Sequence, residues 1–256
     1  MRFFTRSRFL RWLPPIFFGI VIVVWESAVQ ILDISKFLLP APSSILNAFL
    51  DEPQRFLFHT WRTAYEALLG FAIGLALGVF LAAAIAYVRT LERMVMPYLV
   101  IIQVTPIVAI APVLVLWLGT GLAPKVAVAF LISFFPITVS TTIGLRSADR
   151  EALDLMKVLA ATERFVFLRV RLPFALPYLL SSMKIAAPAA VIGAIVAEFV
   201  SSTQGLGYVI LISKSTLRTA DLFVAIVGSA ALGITMFGLS ILAESKFLRW
   251  HESQIR

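Results

Sequence analysis

The sequence has no cysteine, only two histidines and little charge, and each shortage removes a class of chemistry. Without cysteine there is no disulfide, no thiol nucleophile and no thiolate metal site. His59 and His251 are too far apart in sequence to make a metal site alone. Only 14% of the 256 residues are charged, against about 25% in soluble chains, while 60% are hydrophobic. Mean hydropathy is +0.95. That balance excludes a water-soluble enzyme. Six bilayer spans of about 20 residues fit the length and leave no room for a large extramembrane domain. A phosphate-cradling loop of the Gly-x4-Gly-Lys-Ser/Thr type is also missing. Lys214-Ser215-Thr216 follows Ser213 rather than glycine. No carboxylate pair, histidine cluster or nucleophile–base set falls on the apolar runs, so the chain reads as a non-enzyme binding no cofactor or metal.

What is present is a series of apolar runs. The first, residues 13–32, follows the basic head Arg2, Arg6, Arg8 and Arg11. A cleavable signal peptide starts this way too. The run is long, however, and lacks a small-x-small cleavage site, which favours an uncleaved span. A short amphipathic helix over 43–50, capped by Ser43 or Ser44, precedes the second span at 63–88. There Gly70, Gly74 and Gly78, with Ala82, put small residues on one helical face for close packing. A third span at 94–118 is interrupted by Pro106 and Pro112. A fourth covers 126–145, a fifth 174–200 and a sixth 222–243, with Gly205-Leu206-Gly207 in the loop between the last two. The chain divides into an N-terminal part (1–58), a core of five spans (59–248) and a tail (249–256). With the N-terminus inside, fifteen of the 22 Lys and Arg fall inside, six outside and Lys184 within a span. This is the positive-inside pattern of a multi-pass protein with both termini in the cytoplasm. The net charge of +8 therefore reads as topology and anionic-lipid contact, not as a nucleic-acid surface.

The charged inside interval, 147–173, reads SADREALDLMKVLAATERFVFLRVRLP. Ser147 is placed to cap a helix with Asp149 and Glu151 in its first turn. Ala152, Leu155, Met156 and Leu159 then form an apolar stripe. Thr162 is placed to cap a second helix carrying Phe165, Leu168 and Val170. The apolar face has two readings at this point: a partner surface, or a helix lying on the membrane.

These residues resemble a known family. The chain is similar to the membrane-spanning permeases of ATP-binding-cassette importers, in the nitrate/sulfonate/taurine-type group. Their cytoplasmic signature runs roughly EAA, then a glycine four residues after the last alanine, then a hydrophobic segment ending in LP. Counted back from Leu172-Pro173, the acid falls on Asp154, the alanines on Leu155 and Met156, and the glycine on Ala160. Arg169 matches as well. The acid is a conservative change, and the alanines and the glycine depart from the pattern. Further blocks that look like this group are Gly70-Phe71, residues 111–125, 133–147 and 197–208, so the likeness covers about 59–248. It implies an all-α type I importer permease fold in a bacterial inner membrane. It also implies a dimer, usually of identical copies, around a shared pathway. Two separate ATP-binding subunits would use ATP and Mg and dock on 147–172, through Asp154, Leu155, Met156, Leu159, Ala160, Arg169, Leu172 and Pro173. An extracytoplasmic solute-binding protein would deliver the solute. The DLM form of the signature and Tyr65-Glu66 look similar to members linked to pyrimidine vitamin precursors or other heterocycles, with nitrate, sulfonates and taurine as the other options.

Polar residues inside apolar runs are costly and point to function by default. Gln103 and Thr105, just before the Pro106 break, are candidates for the translocation pathway. Glu198, with Ser201 and Ser202 beside it, reads as a gate, an inter-subunit hydrogen bond or an acid among headgroups. Lys184 and Glu198 are fourteen residues apart, about 21 Å along a helix, and cannot pair with each other. Lys184 is expected to snorkel inward, and Glu26 to sit near an outer helix end. A carrier or channel working without ATP is the competing class. It calls for a charge relay or an inverted repeat, and the sequence has neither.

Overall fold

The computed structural model describes residues 4–248, with side chains from residue 13 onward and Arg89 excepted. The basic head's side chains and the tail at 249–256 lie outside the described residues. Among those described there is no β-strand. α1 spans Phe4–Ile31, α2 Pro42–Asp51, α3 Pro53–Tyr87, α4 Arg89–Val104, α5 Ile107–Leu118 and α6 Leu122–Arg146. α7 covers Arg150–Val158 and α8 Glu163–Val166. A π-helical turn, Phe167–Arg171, leads into α9, Leu172–Ser201, followed by α10, Leu206–Ser215, and α11, Thr219–Phe247.

The core is α3, α6 and α9, with α11 against α9. Gly70, Gly74 and Gly78 lie in turn against Ala129–Phe130, Ser133 and Ile137 of α6. A Cβ at Gly70 would sit 2.5 Å from the Ala129 Cβ and 2.8 Å from the Phe130 nitrogen, so only glycine allows this approach. Small residues replace the hydrophobic driving force that two helices lack in lipid.

The order of these contacts fixes the topology. Residues 70, 74 and 78 meet 129, 133 and 137, and Arg146 donates to the Ile85 carbonyl at 2.9 Å, so α3 and α6 run parallel. The chain must therefore cross back between them. α4 and α5 make that return as one crossing bent by 103°. The expected third span is thus a broken one. The cause is local: Pro106 has no N–H for the preceding turn, and Thr105 before it is extended at φ −72°, ψ 126°. Five helices are long and apolar enough to cross a membrane, and the bent pair, taken as one crossing, makes six.

Other boundaries shift for identifiable reasons. The expected caps Ser43 and Ser44 are not caps. Pro42 occupies the first turn of α2, and the Glu26 carboxylate of α1 takes the Ser43 N–H at 2.9 Å and its hydroxyl at 2.7 Å. Asp149, not Ser147, caps α7, accepting the Glu151 N–H at 3.2 Å. Ser147 instead ends α6, bonding back to Gly144 and Ile143. Thr162 caps α8, accepting the Phe165 N–H at 3.4 Å. The second inside helix does not stop before the fifth span. It runs on through the π-helical turn, so Glu163–Ser201 is one helical stretch of 39 residues. α10 occupies a stretch for which the sequence predicts only loop.

Candidate functional site: a closed outer end and an open inner end

α-Helices begin with N–H groups that lack partners within the helix. At the outer end, three side chains from α3 and α9 take those at the start of α10. Gly205 N–H donates to His59 Nδ1 at 3.0 Å, and Leu206 N–H to Thr63 Oγ1 at 2.8 Å. Gly207 N–H donates to Glu198 Oε2 at 2.5 Å. The Thr63 hydroxyl donates to the other Glu198 oxygen at 2.7 Å, which leaves that carboxylate 1% exposed and fully engaged. An acceptor Nδ1 on His59 requires the proton on Nε2. The glycine pair follows from this geometry. Gly205 has φ +101°, and a Cβ there would collide with the Glu198 carboxylate.

One turn further in, Lys125 Nζ meets Glu66 Oε1 at 3.0 Å with both side chains buried. Lone charges at this depth would be prohibitive, and pairing offsets the desolvation. On the rim, Arg55 and Arg218 each bond both Glu52 and Asp221 at 3.0–3.1 Å. Hydrogen bonds from Arg218 and then Arg55 hold the Glu52 carboxyl below its ordinary range.

Glu198, expected at a gate, an inter-subunit bond or the headgroups, is enclosed within its own chain. Ser201 Oγ, three residues on, is buried with no hydrogen-bond partner among the described residues. Gln103 is exposed at the α4–α5 bend, and the Thr105 hydroxyl bonds back to Ile101 at 2.7 Å. Lys184 pairs with Glu244 of α11 at 2.5 Å. The sequence assigns no role at this end to His59, Thr63 or Lys125. Yet 59, 63 and 66 follow the i, i+4, i+7 spacing of one helical face, the same face that continues through Gly70, Gly74 and Gly78.

The inner end contrasts with this. On α7 and just beyond it, Leu155 is 54%, Val158 83% and Leu159 63% exposed, and Phe165 and Leu168 after them are also exposed. Met156 is half-buried. Asp154 pairs with Lys157 at 2.6 Å, and that hydrogen bond holds its carboxyl below the ordinary value. Ala160, which falls where the resembled signature has glycine, stands at φ +50° in the turn between α7 and α8. Arg169 is exposed in the π-helical turn, and Leu172 and Pro173 open α9. The segment is tied to the bundle from behind. Arg171 lies 5.3 Å over the Tyr87 ring and donates to the Leu145 carbonyl, while Tyr87 also meets Phe167 at 5.9 Å.

Residues 74–251 match the family described as the inner membrane component of binding-protein-dependent transport systems. A formylaminopyrimidine transport permease protein, ThiX, of Halalkalibacterium halodurans is 35% identical over 242 residues, covering 94% of this chain and 96% of that protein. The riboflavin transport system permease protein RibX of Chloroflexus aurantiacus is also 35% identical over 242 residues, 93% of this chain and 90% of its own length. A putative aliphatic sulfonates transport permease protein, SsuC, of Escherichia coli is 30% identical over 242 residues, 94% of this chain and 91% of that one.

Proposed function

The chain belongs to the inner membrane components of binding-protein-dependent transport systems, and we propose that it forms, as a homodimer, the translocation pathway of an ATP-driven importer for a small, uncharged heterocycle. The observation that carries this reading is the uncovered apolar face of α7 and α8. It lies at the end where the charge count puts the cytoplasm, and ATP is there. Two ATP-binding subunits dock on Leu155, Met156, Leu159 and the neighbouring Phe165 and Leu168. Asp154 and Arg169 border the contact. Ala160 makes the turn between the two helices, and Leu172-Pro173 passes the segment directly into α9. ATP and Mg are held by those subunits, not by this chain. A solute-binding protein delivers its cargo at the outer rim, and the solute passes the α4–α5 bend at Gln103, Thr105 and Pro106.

A pyrimidine or flavin-like cargo is supported by the solutes for which ThiX and RibX are named, the sulfonates of SsuC being the contrasting option. The test of docking is the pair Leu155→Glu and Leu159→Glu together. We expect the permease to insert and melt as the unaltered chain does, while at least nine-tenths of the co-purifying ATP-binding subunit and of ATP-driven formylaminopyrimidine uptake are lost. Undiminished co-purification overturns the docking assignment. Uptake that persists in proteoliposomes without ATP replaces the importer with a carrier.

A further inference from the structure

Between α6 and α9, close to the inner end, lies a cavity of about 520 Å³ lined by Ser140, Pro173, Phe174, Pro177, Tyr178 and Ser181 among others. Its volume falls within the roughly 300–1,000 Å³ common for small-molecule sites. Ser140 is seven residues from the end of α6 at Ser147, so the cavity sits about 10 Å inside the helix end and next to the segment assigned to ATPase docking.

Several hydroxyls elsewhere on these helices are consumed by the backbone, although Thr141 Oγ1 and Ser201 Oγ are buried with no hydrogen-bond partner among the described residues. Ser133, Thr138, Thr142 and Ser182 each bond a carbonyl three or four residues back at 2.7–2.9 Å, the usual fate of Ser and Thr in a membrane helix. Ser140, Tyr178 and Ser181 make no such bond among the described residues, and they line the space half-buried at Ser140 and exposed at Tyr178 and Ser181. Pro177, inside α9, has no N–H to give the Pro173 carbonyl. Three unspent hydroxyls and a carbonyl lacking its helical donor thus gather around one space, beside two aromatic rings. Polar groups left unspent at membrane depth call for a polar partner.

The lining also selects by charge. None of the lining residues is ionisable as a cation or a carboxylate. A sulfonate or nitrate held there would meet no counter-ion in the lining. A flat neutral ring with N–H and C=O groups would find hydroxyl donors and acceptors at its edge and the Tyr178 and Phe174 rings at its faces.

We propose that this α6–α9 cavity is an inner solute site of the transport pathway, selective for an uncharged planar heterocycle over an organic anion. The proposal rests on the import reading above. The natural absence of cysteine makes the test clean. Ser140→Cys and Ser181→Cys, one on each helix, are placed singly in the full transporter with its ATP-binding subunits in proteoliposomes. Both are treated with a membrane-impermeant thiol reagent. Expected is modification at both positions, slowed at least fivefold by saturating formylaminopyrimidine and not by ethanesulfonate. Absence of modification at either position overturns the proposal, because lipid or the second copy then fills the space. Modification that formylaminopyrimidine does not slow, or that ethanesulfonate slows equally, overturns it as well. ATP-driven uptake by the unaltered transporter is read separately. Import with unprotected thiols sinks the cavity alone, and protection without import sinks the import reading alone.

Discussion

At the outer end, Glu198, Thr63 and His59 spend their hydrogen-bonding capacity on the chain's own α10, and Lys125 is paired with Glu66. At the inner end, α7 and α8 satisfy their own helix starts through Asp149 and Thr162 but leave Leu155, Val158, Leu159 and Phe165 uncovered. Buried polar groups that partner one another specify a fixed arrangement, since losing one strands the rest. An apolar face without a cover specifies a surface for something else. Substitutions at the outer end should therefore be read in the stability of the chain, and those at the inner end in what it binds.

The largest effect is expected from Lys125→Met, which strands the buried Glu66 carboxylate. Breaking a buried pair from one side costs about 3–5 kcal/mol, seen as a lowered melting temperature in detergent. Adding Glu66→Met should recover most of that loss, and failure to recover would mean the pair is not the cause. Next comes Gly205→Ala, whose Cβ meets the Glu198 carboxylate from a left-handed backbone. Roughly 3 kcal/mol of destabilisation is expected, with faster hydrogen exchange confined to 202–215. Unchanged exchange there would show that α10 is held by its apolar contacts instead. The smallest effect belongs to the inner end. Ala160→Gly relieves the φ +50° strain, a gain of about 1 kcal/mol at most. It should leave recovery of the ATP-binding subunit unchanged. Reduced recovery would show that the alanine side chain itself belongs to the docking surface.

The spans were legible because lipid forces every backbone group into a helix and every exposed side chain to be apolar. Hydropathy alone therefore placed the five long apolar helices and the apolar stretch of the bent α4–α5 pair. The glycine stripe of α3 was legible as a packing face, though not the identity of its partner, since spacing within one helix says nothing about the other. α10 was missed because ten residues with Lys214 among them are too short for a span, and its start is held by side chains more than 140 residues away at His59 and Thr63. The Lys125–Glu66 pair was hidden in the same way, Lys125 a lone charge in the first turn of α6 and Glu66 one well inside α3 until the two helices are laid side by side. Ala160 shows a partial reading. Counting back from Leu172-Pro173 put it where the resembled signature carries glycine, and the backbone there does take the left-handed conformation that favours glycine. The wrong caps have different causes: Pro42 and Asp149 stand beside the serines in sequence and compete locally for the helix start, whereas Glu26, which takes the Ser43 N–H and hydroxyl, lies seventeen residues away.

The unbroken helix from Glu163 to Ser201 has a geometric consequence. Its 39 residues rise roughly 58 Å at about 1.5 Å each, so a tilt of only about 5° imposed at α8 would carry the far end sideways by about 5 Å. That far end holds Glu198 and, through it, the first turn of α10. The stretch thus has the proportions of a lever whose short stroke is taken in the cytoplasm and whose long stroke is delivered at the outer face. No loop interrupts the stretch, and its points of bending are the π-helical turn, Pro177 and Pro188.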